Sequence, residues 1–169
     1  MSAGPVRAAV LPCSLGLAAV AVGDQGVRVL VLGDDEQELR DEMTAMLGGD
    51  PVVEADATDA DVAEVLDVVE GRSTTLPPVD LRGTAFQLDV WAALQRVPAG
   101  QTVSYAQLAA DAGHPTAVRA VGSACGANPV AVIVPCHRVL RADGTLGGFR
   151  CGPARKAALL RREGAAAAG

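Results

Sequence analysis

No stretch of this sequence approaches the roughly 18 consecutive apolar residues that a membrane span requires. Its N-terminus does not join a basic start to a cleavable apolar core. The expectation is a soluble, cytoplasmic protein with no membrane partner. Cysteine is scarce, with only Cys13, Cys125, Cys136 and Cys151, and they show neither CxxC spacing nor a small disulfide scaffold. Histidine is scarcer still, at His114 and His137. No ligand pattern for a tetrahedral metal site emerges, and no metal is expected. A chain of 169 residues can nevertheless bury a proper core, as one domain or two small ones.

Positive charge is missing from the first half. Residues 1–80 carry 4 basic against 16 acidic side chains, a net of −12, whereas residues 81–169 carry 10 against 4, a net of +6. The overall −6 hides this asymmetry. A basic second half suits a polyanion partner, or is an ordinary basic face.

The first half reads as a small sheet with helices. Val6–Leu11, Leu15–Val22 and Val27–Leu32 are apolar runs rich in Val and Leu, and Gly23-Asp24-Gln25-Gly26 is a hairpin-type connection. Asp34 or Asp35 can cap a helix to about Leu47, and Asp59 to Glu70 is a second helix. Nothing in residues 1–76 has the spacing of a site, and the segment is assigned as a scaffold domain.

Residues 71–83, with Pro77-Pro78, read as a linker. Beyond it, Thr84-x-x-Gln87 and Ser104-x-x-Gln107 are both capping boxes. The first opens a helix to about Arg96, the second a short helix over Tyr105–Ala112. Thr116 is expected to cap a third, Ala117 to about Cys125. Two short helices around a glycine-containing turn make a helix-turn-helix candidate. Ala117, Ala120, Gly122, Ser123 and Ala124 leave the third helix nearly without bulk. Such a helix packs tightly inside the protein or lies close against another surface. Arg119 is its one long cation.

Cys136 stands in Val132-Ile133-Val134-Pro135-Cys136-His137-Arg138-Val139. A thiol reacts as its thiolate, so a reactive cysteine needs a neighbour that accepts its proton or stabilises its charge. His137 follows at once, although sequence neighbours need not touch. Arg138–Gly144 reads as a strand into a turn and Leu146–Gly152 as a glycine-rich loop. Pro153 opens a last helix ending Arg161-Arg162-Glu163-Gly164. Glu163 opposes the helix dipole there, so it either pairs with a nearby arginine or serves elsewhere. Cys125 and Cys151 read as structural thiols, and Lys156 with the surrounding arginines as phosphate neighbours or surface pairs.

Gly83-Thr84-Ala85-Phe86-Gln87, Ser104-Tyr105, Arg119-Ala120-Val121-Gly122, Asn128-Pro129, Pro135-Cys136-His137-Arg138-Val139 and Lys156 with Leu159-Leu160-Arg161-Arg162-Glu163 cover most of residues 80–164. In this order they resemble the O6-alkylguanine-DNA alkyltransferases, in particular the methyltransferase half of the bacterial adaptive-response regulators. Cys13-Ser14-Leu15-Gly16 and Leu32-Gly33-Asp34-Asp35 resemble the same proteins more loosely. The resemblance implies an α/β (α+β) fold. A ribonuclease H-like N-terminal domain (1–76) precedes a mostly helical catalytic domain with a helix-turn-helix (80–164) and a disordered tail (165–169).

The resemblance further implies direct, single-turnover transfer of an alkyl group from guanine O6, and from thymine O4, in duplex DNA onto Cys136, without a cofactor. His137 would be the base, acting through a water, and Glu163 would orient and charge it. Tyr105 would donate to the departing purine. Asn128 would hold the helix-turn-helix against the nucleophile segment. The lesion must leave the stack before the thiol can reach it. The family works from the minor groove, so Thr116, Ala117, Ala120, Gly122 and Ser123 would meet DNA, and Arg119 would replace the extruded base. The carbonyls of Cys136 and Val139 would read the guanine amine, and the loop of Gly147, Gly148, Phe149 and Arg150 would close the pocket. A monomer is expected.

Two positions depart from the family pattern. Phe149 stands where Tyr is usual, removing a hydroxyl, and Arg150 stands where some relatives have Ser. Both favour methyl over bulky groups. The zinc ligands of animal relatives have no counterpart, nor does the regulators' own zinc and promoter-binding half. A non-catalytic lesion-binding protein is the alternative in another class. Known members replace the nucleophile, and Cys136 argues against it. A thiol hydrolase would turn over, whereas a thioether is final.

Overall fold

The computed structural model describes residues 4–165. Apart from Ala165, the expected disordered tail lies outside the described residues. The described residues pack as two compact units, the first running to Arg82 and taking in Pro129–Ile133, the second formed by Gly83–Asn128 and the chain from Val134 onward. No helix among the described residues is long and apolar enough to cross a membrane.

The first unit is built on a four-stranded sheet of order β3-β2-β1-β4, from β1 (Val6–Cys13), β2 (Gly16–Gly23), β3 (Gly26–Gly33) and β4 (Val52–Glu54). β1, β2 and β3 are antiparallel neighbours, and β4 adds to β1 in parallel. Val, Ala and Leu fill β2 and β3, broken only by Arg28 and the end glycines, because most residues there are buried, which a one-sided sheet would not need. Helix α1 (Glu36–Leu47) lays Leu39, Met43 and Leu47, spaced i, i+4, i+8, against Val6, Ala19, Ala21, Val29 and Val31. Each such buried Leu or Met contributes about 1.5–3 kcal/mol. Of the two candidate caps for α1, Asp35 is the one used, accepting from Glu38 N–H at 2.9 Å. Asp59 caps α2 (Ala60–Val69), which packs on β1 and β2 with Val62, Val65 and Val69 buried.

The β2–β3 turn is Asp24-Gln25, with Gly23 paired to Gly26. Gly26 has φ +135, and a Cβ there would lie 2.5 Å from Pro78 O, so only glycine fits. Val27 N–H donates to that same Pro78 carbonyl. β4 carries no sequence signal of its own, since its three residues are all exposed. It is a strand because it follows the crossover through α1, and its shortness protects the sheet edge.

The second unit holds α3 (Ala85–Gln95), α4 (Tyr105–Asp111) and α5 (Val118–Gly126), which pack on one another. It also holds β5 (Val103–Ser104) paired in parallel with β6 (Val139–Leu140), and α6 (Pro153–Arg162). The Thr84 capping box is complete. The Ser104 box is half made: Ser104 accepts from Gln107 N–H, but the Gln107 amide turns forward to Asp111 instead. Thr116 does not cap α5. Ala117 occupies the cap position without a side-chain bond, and its N–H closes a turn onto His114 O that leaves Thr116 inside it. Trp91 is buried, with its Nε1–H on Ala124 O at 2.9 Å, which locks α3 to α5.

Candidate functional site

Cys136 is delivered by turns rather than by a strand. Ile133 N–H donates to Ala131 O at 2.8 Å across Val132, and Cys136 N–H to Val134 O at 2.8 Å across Pro135. Val132 has φ +72, which for a β-branched residue costs about 1–3 kcal/mol and persists only under close packing. Cys136–Arg138 then forms one turn of 3-10 helix, so the strand expected from Arg138 begins one residue later, and only Val139–Leu140 enters a sheet.

The thiol is 7% exposed. Asn128, itself buried, donates its Nδ2 to Val134 O at 2.8 Å and to Cys136 Sγ at 3.2 Å, tying the end of α5 to the nucleophile segment. Burial pushes the Cys136 thiol up to about 11, against the downward pull of the Asn128 bond and the Lys156 charge. The resting sulfur is therefore a neutral thiol rather than a standing thiolate.

His137 is fully buried. Its Nε2 lies 3.0 Å from Glu163 Oε2. Burial holds the imidazole below its ordinary value, outweighing the hydrogen bond and charge of Glu163. Glu163 caps the C-terminus of α6, and Arg138 grips it with Nε on Oε1 at 2.9 Å and Nη2 on Oε2 at 2.6 Å. Burial raises the Glu163 carboxyl, but the bonds from Arg138 and His137 prevail and bring it to about 2. An ionised Glu163 can only accept, so His137 Nε2 carries the proton and Nδ1 keeps its lone pair. Nδ1 is buried without a hydrogen-bond partner among the described residues.

Beside Cys136 lies a cavity of about 150 Å³ lined by Tyr105, Gly122, Cys125, Gly148, Phe149 and Arg150. Tyr105 is the first residue of α4, and burial raises its phenol. Gly147 has φ +70, and a Cβ on it would come within 3.2 Å of the Tyr105 hydroxyl. The Phe149 ring sits edge-on to His137 at 6.5 Å between centroids. Val139 is buried, and its carbonyl already accepts from Lys156 Nζ at 2.6 Å, while the Cys136 carbonyl accepts from Val139 N–H. Each carbonyl retains a second lone pair.

Cys136, His137, Glu163, Tyr105, Asn128 and the 147–150 loop are thus gathered in one place. Arg119, Ala120 and Ser123 are exposed on α5 outside the cavity, and Gly122 is the member of that group reaching its wall. Thr116 and Ala117 precede the helix. Three participants escaped the sequence reading. Arg138 is the second partner of Glu163, and the Cys-His-Arg run offered it without saying where it points. Cys125 shares the cavity with Cys136. Lys156 is neither a surface pair nor a phosphate neighbour, because it is 0% exposed and bonded to Val139 O and Gly148 O. Its signal was its rarity, one lysine beside thirteen arginines.

Residues 85–165 match the family model described as 6-O-methylguanine DNA methyltransferase, DNA binding domain. The crystal structure of the Mycobacterium tuberculosis O6-methylguanine methyltransferase is 36% identical, with a TM-score of 0.69 over 95% of this chain and 92% of that one. The chain belongs to the O6-methylguanine-DNA methyltransferase family. The mixed α/β arrangement with its small N-terminal sheet is that of these methyltransferases. The Mycobacterium tuberculosis protein OGT, solved in complex with DNA, is 35% identical with a TM-score of 0.71, covering 95% of this chain and 93% of that one. The Escherichia coli K12 bifunctional transcriptional activator/DNA repair enzyme Ada is 50% identical over 160 residues, 94% of this chain and 45% of that protein. The inducible methylated-DNA--protein-cysteine methyltransferase of Bacillus subtilis is 51% identical over 98 residues, 57% of this chain and 55% of that protein. The chain spans about half the length of the curated relatives it matches.

Proposed function

We propose that this protein repairs duplex DNA by direct transfer of an alkyl group from guanine O6, and from thymine O4, to Cys136, each molecule acting once. The observation that carries the reading is the His137–Glu163–Arg138 string, which leaves a buried, basic Nδ1 on the residue next to the thiol at the wall of a small cavity.

The Cys136 proton passes to His137 Nδ1 through one bridging water. The imidazolium so formed is stabilised by Glu163, which stays anionic because Arg138 holds it. Sulfur then bonds to the alkyl carbon as the C–O6 bond breaks, and the electron pair stays on the purine. Tyr105 supplies a proton to the departing base. Burial keeps the thiol neutral until then, so the sulfur is protected from adventitious oxidation while no lesion is bound. The second lone pairs of the Cys136 and Val139 carbonyls suit the guanine amine.

DNA approaches α5. Arg119, Ala120 and Ser123 form an exposed, low-relief face with one long cation, suited to the minor groove and to filling the gap left by a flipped base. The α4–α5 pair is read as the helix-turn-helix, and the sheet order β3-β2-β1-β4 supports a ribonuclease H-like first domain. The protein acts as a monomer. Mixing it with excess duplex bearing O6-methylguanine should consume about one lesion per chain and then stop. Continued turnover would favour a thiol hydrolase, and binding without consumption a lesion-recognition protein.

A further inference from the structure

Of the fourteen lysine and arginine side chains in this protein, all but one are arginines. That one, Lys156, is on the first turn of α6 and is 0% exposed. Its Nζ donates to Val139 O at 2.6 Å and to Gly148 O at 3.2 Å. Val139 is bonded back to the Cys136 carbonyl, and Gly148 belongs to the loop lining the cavity. The ammonium is therefore held between the nucleophile turn and the loop that faces it.

We propose that Lys156 is a positioning residue whose ammonium is the counter-charge under which Cys136 loses its proton. The other cations nearby are committed or neutral. Arg138 spends its guanidinium on Glu163 and on Val97 O at 2.6 Å. Arg141 is exposed. His137 is kept neutral by burial until it accepts the thiol proton. A buried thiolate with no cation is strongly disfavoured, and opposite charges interact far more strongly there than in water. Lysine suits the task because its charge is a compact point on a thin stem, where a guanidinium would need a wider, planar set of acceptors.

The titrations are consistent with this placement. Burial lowers Lys156 to about 8, while Cys136 and Cys125 pull it up and Arg141 pulls it down. Lys156 in turn draws the Cys136 and Cys125 thiols down. It also lowers His137, which helps keep that imidazole a base. The consequence for repair rests on the alkyl-transfer reading, but the charge pairing itself does not.

Two measurements on the full chain test it, neither requiring DNA. Iodoacetamide labelling is followed across pH by fragmenting the tryptic peptide Ala120–Arg138, which separates Cys136 from Cys125. In Lys156→Met, checked for a native melting transition, labelling of Cys136 at pH 7, below the Lys156 midpoint of about 8, should fall about tenfold, one unit of thiol pKa. An unchanged rate overturns the proposal. The second needs no change at the lysine. The single Lys Cε resonance is titrated in the wild type and in Cys136→Asp, which sets a carboxylate where the thiolate would form, and its midpoint should rise, since such coupling is reciprocal. Equal midpoints overturn the proposal. If both results come out as expected but no alkyl group moves from alkylated duplex, the transfer reading has failed and the counter-charge stands.

Discussion

Arg138 holds Glu163 by both carboxylate oxygens, and through Glu163 it sets which nitrogen of His137 is basic. Each side chain of the ion pair is about 15% exposed, 14% for Arg138 and 15% for Glu163, so water screens the contact little. A planar fork on a carboxylate fixes direction as well as charge. The proposed base therefore owes its tautomer to a residue two positions from the nucleophile.

Replacing Arg138 by Met should cost about 3–5 kcal/mol of stability, because it strands a mostly buried carboxylate. Arg138→Lys should recover part of that stability but remain slower in alkyl transfer, having one point charge in place of a fork. Urea unfolding and single-turnover rates give both numbers. A loss under about 1 kcal/mol, the range of a surface pair, contradicts the arrangement.

Stability should fall on acidification in two steps. His137 is depressed in the folded state, so the unfolded chain takes up its proton first, and stability drops as pH falls below the ordinary imidazole value near 6.5. Glu163 is depressed from 4.5 to about 2, so its contribution is present above 4.5 and is lost between there and 2. That second contribution is about 3 kcal/mol at most. Glu163→Gln should remove the lower step, as read from thermal melts against pH. His137→Gln should remove the upper step and slow transfer while leaving DNA binding largely intact.

Much of this was legible in the chain. The strands declared themselves because both faces of β2 and β3 are mostly buried, which leaves Arg28 as the one polar residue in the two runs. Asp59 and Thr84 capped where their hydroxyl or carboxylate stood before an apolar stripe. Cys136, His137 and Glu163 came from motif order, and the contact between His137 and Glu163 is now seen. What failed was set by tertiary contacts. β4 is exposed and short, so no pattern marks it. The Thr116 hydroxyl was ready to cap, but the turn closed by His114 O displaced it by one residue. Lys156 looked like surface because lysines usually are, and only packing reveals two carbonyls waiting for its ammonium.

Arg119→Ala should weaken repair of duplex substrate by at least tenfold while leaving iodoacetamide labelling of Cys136 unchanged, since Arg119 is exposed on α5 and outside the cavity. Rising salt should weaken DNA binding generally, as it does wherever phosphates are neutralised. Gel-shift affinity and transfer rate, measured together, separate the two effects.

Arg150 lines the cavity and Phe149 supplies a ring without a hydroxyl. Methyl should therefore transfer faster than benzyl, and Arg150→Ser should narrow the difference. Competition between O6-methylguanine and O6-benzylguanine duplexes measures it. Comparable wild-type rates for the two adducts would refute the assignment.

The central claim is that one sulfur, Cys136 Sγ, takes the alkyl group. Cys125 lines the same cavity, and burial pushes its thiol higher, to about 12. The direct measurement is to react the protein with one equivalent of duplex carrying a single O6-methylguanine, digest with trypsin and fragment the peptide Ala120–Arg138. The account predicts one methyl group, on Cys136 alone. Methyl on Cys125, or an unmodified peptide with the lesion intact, would contradict it.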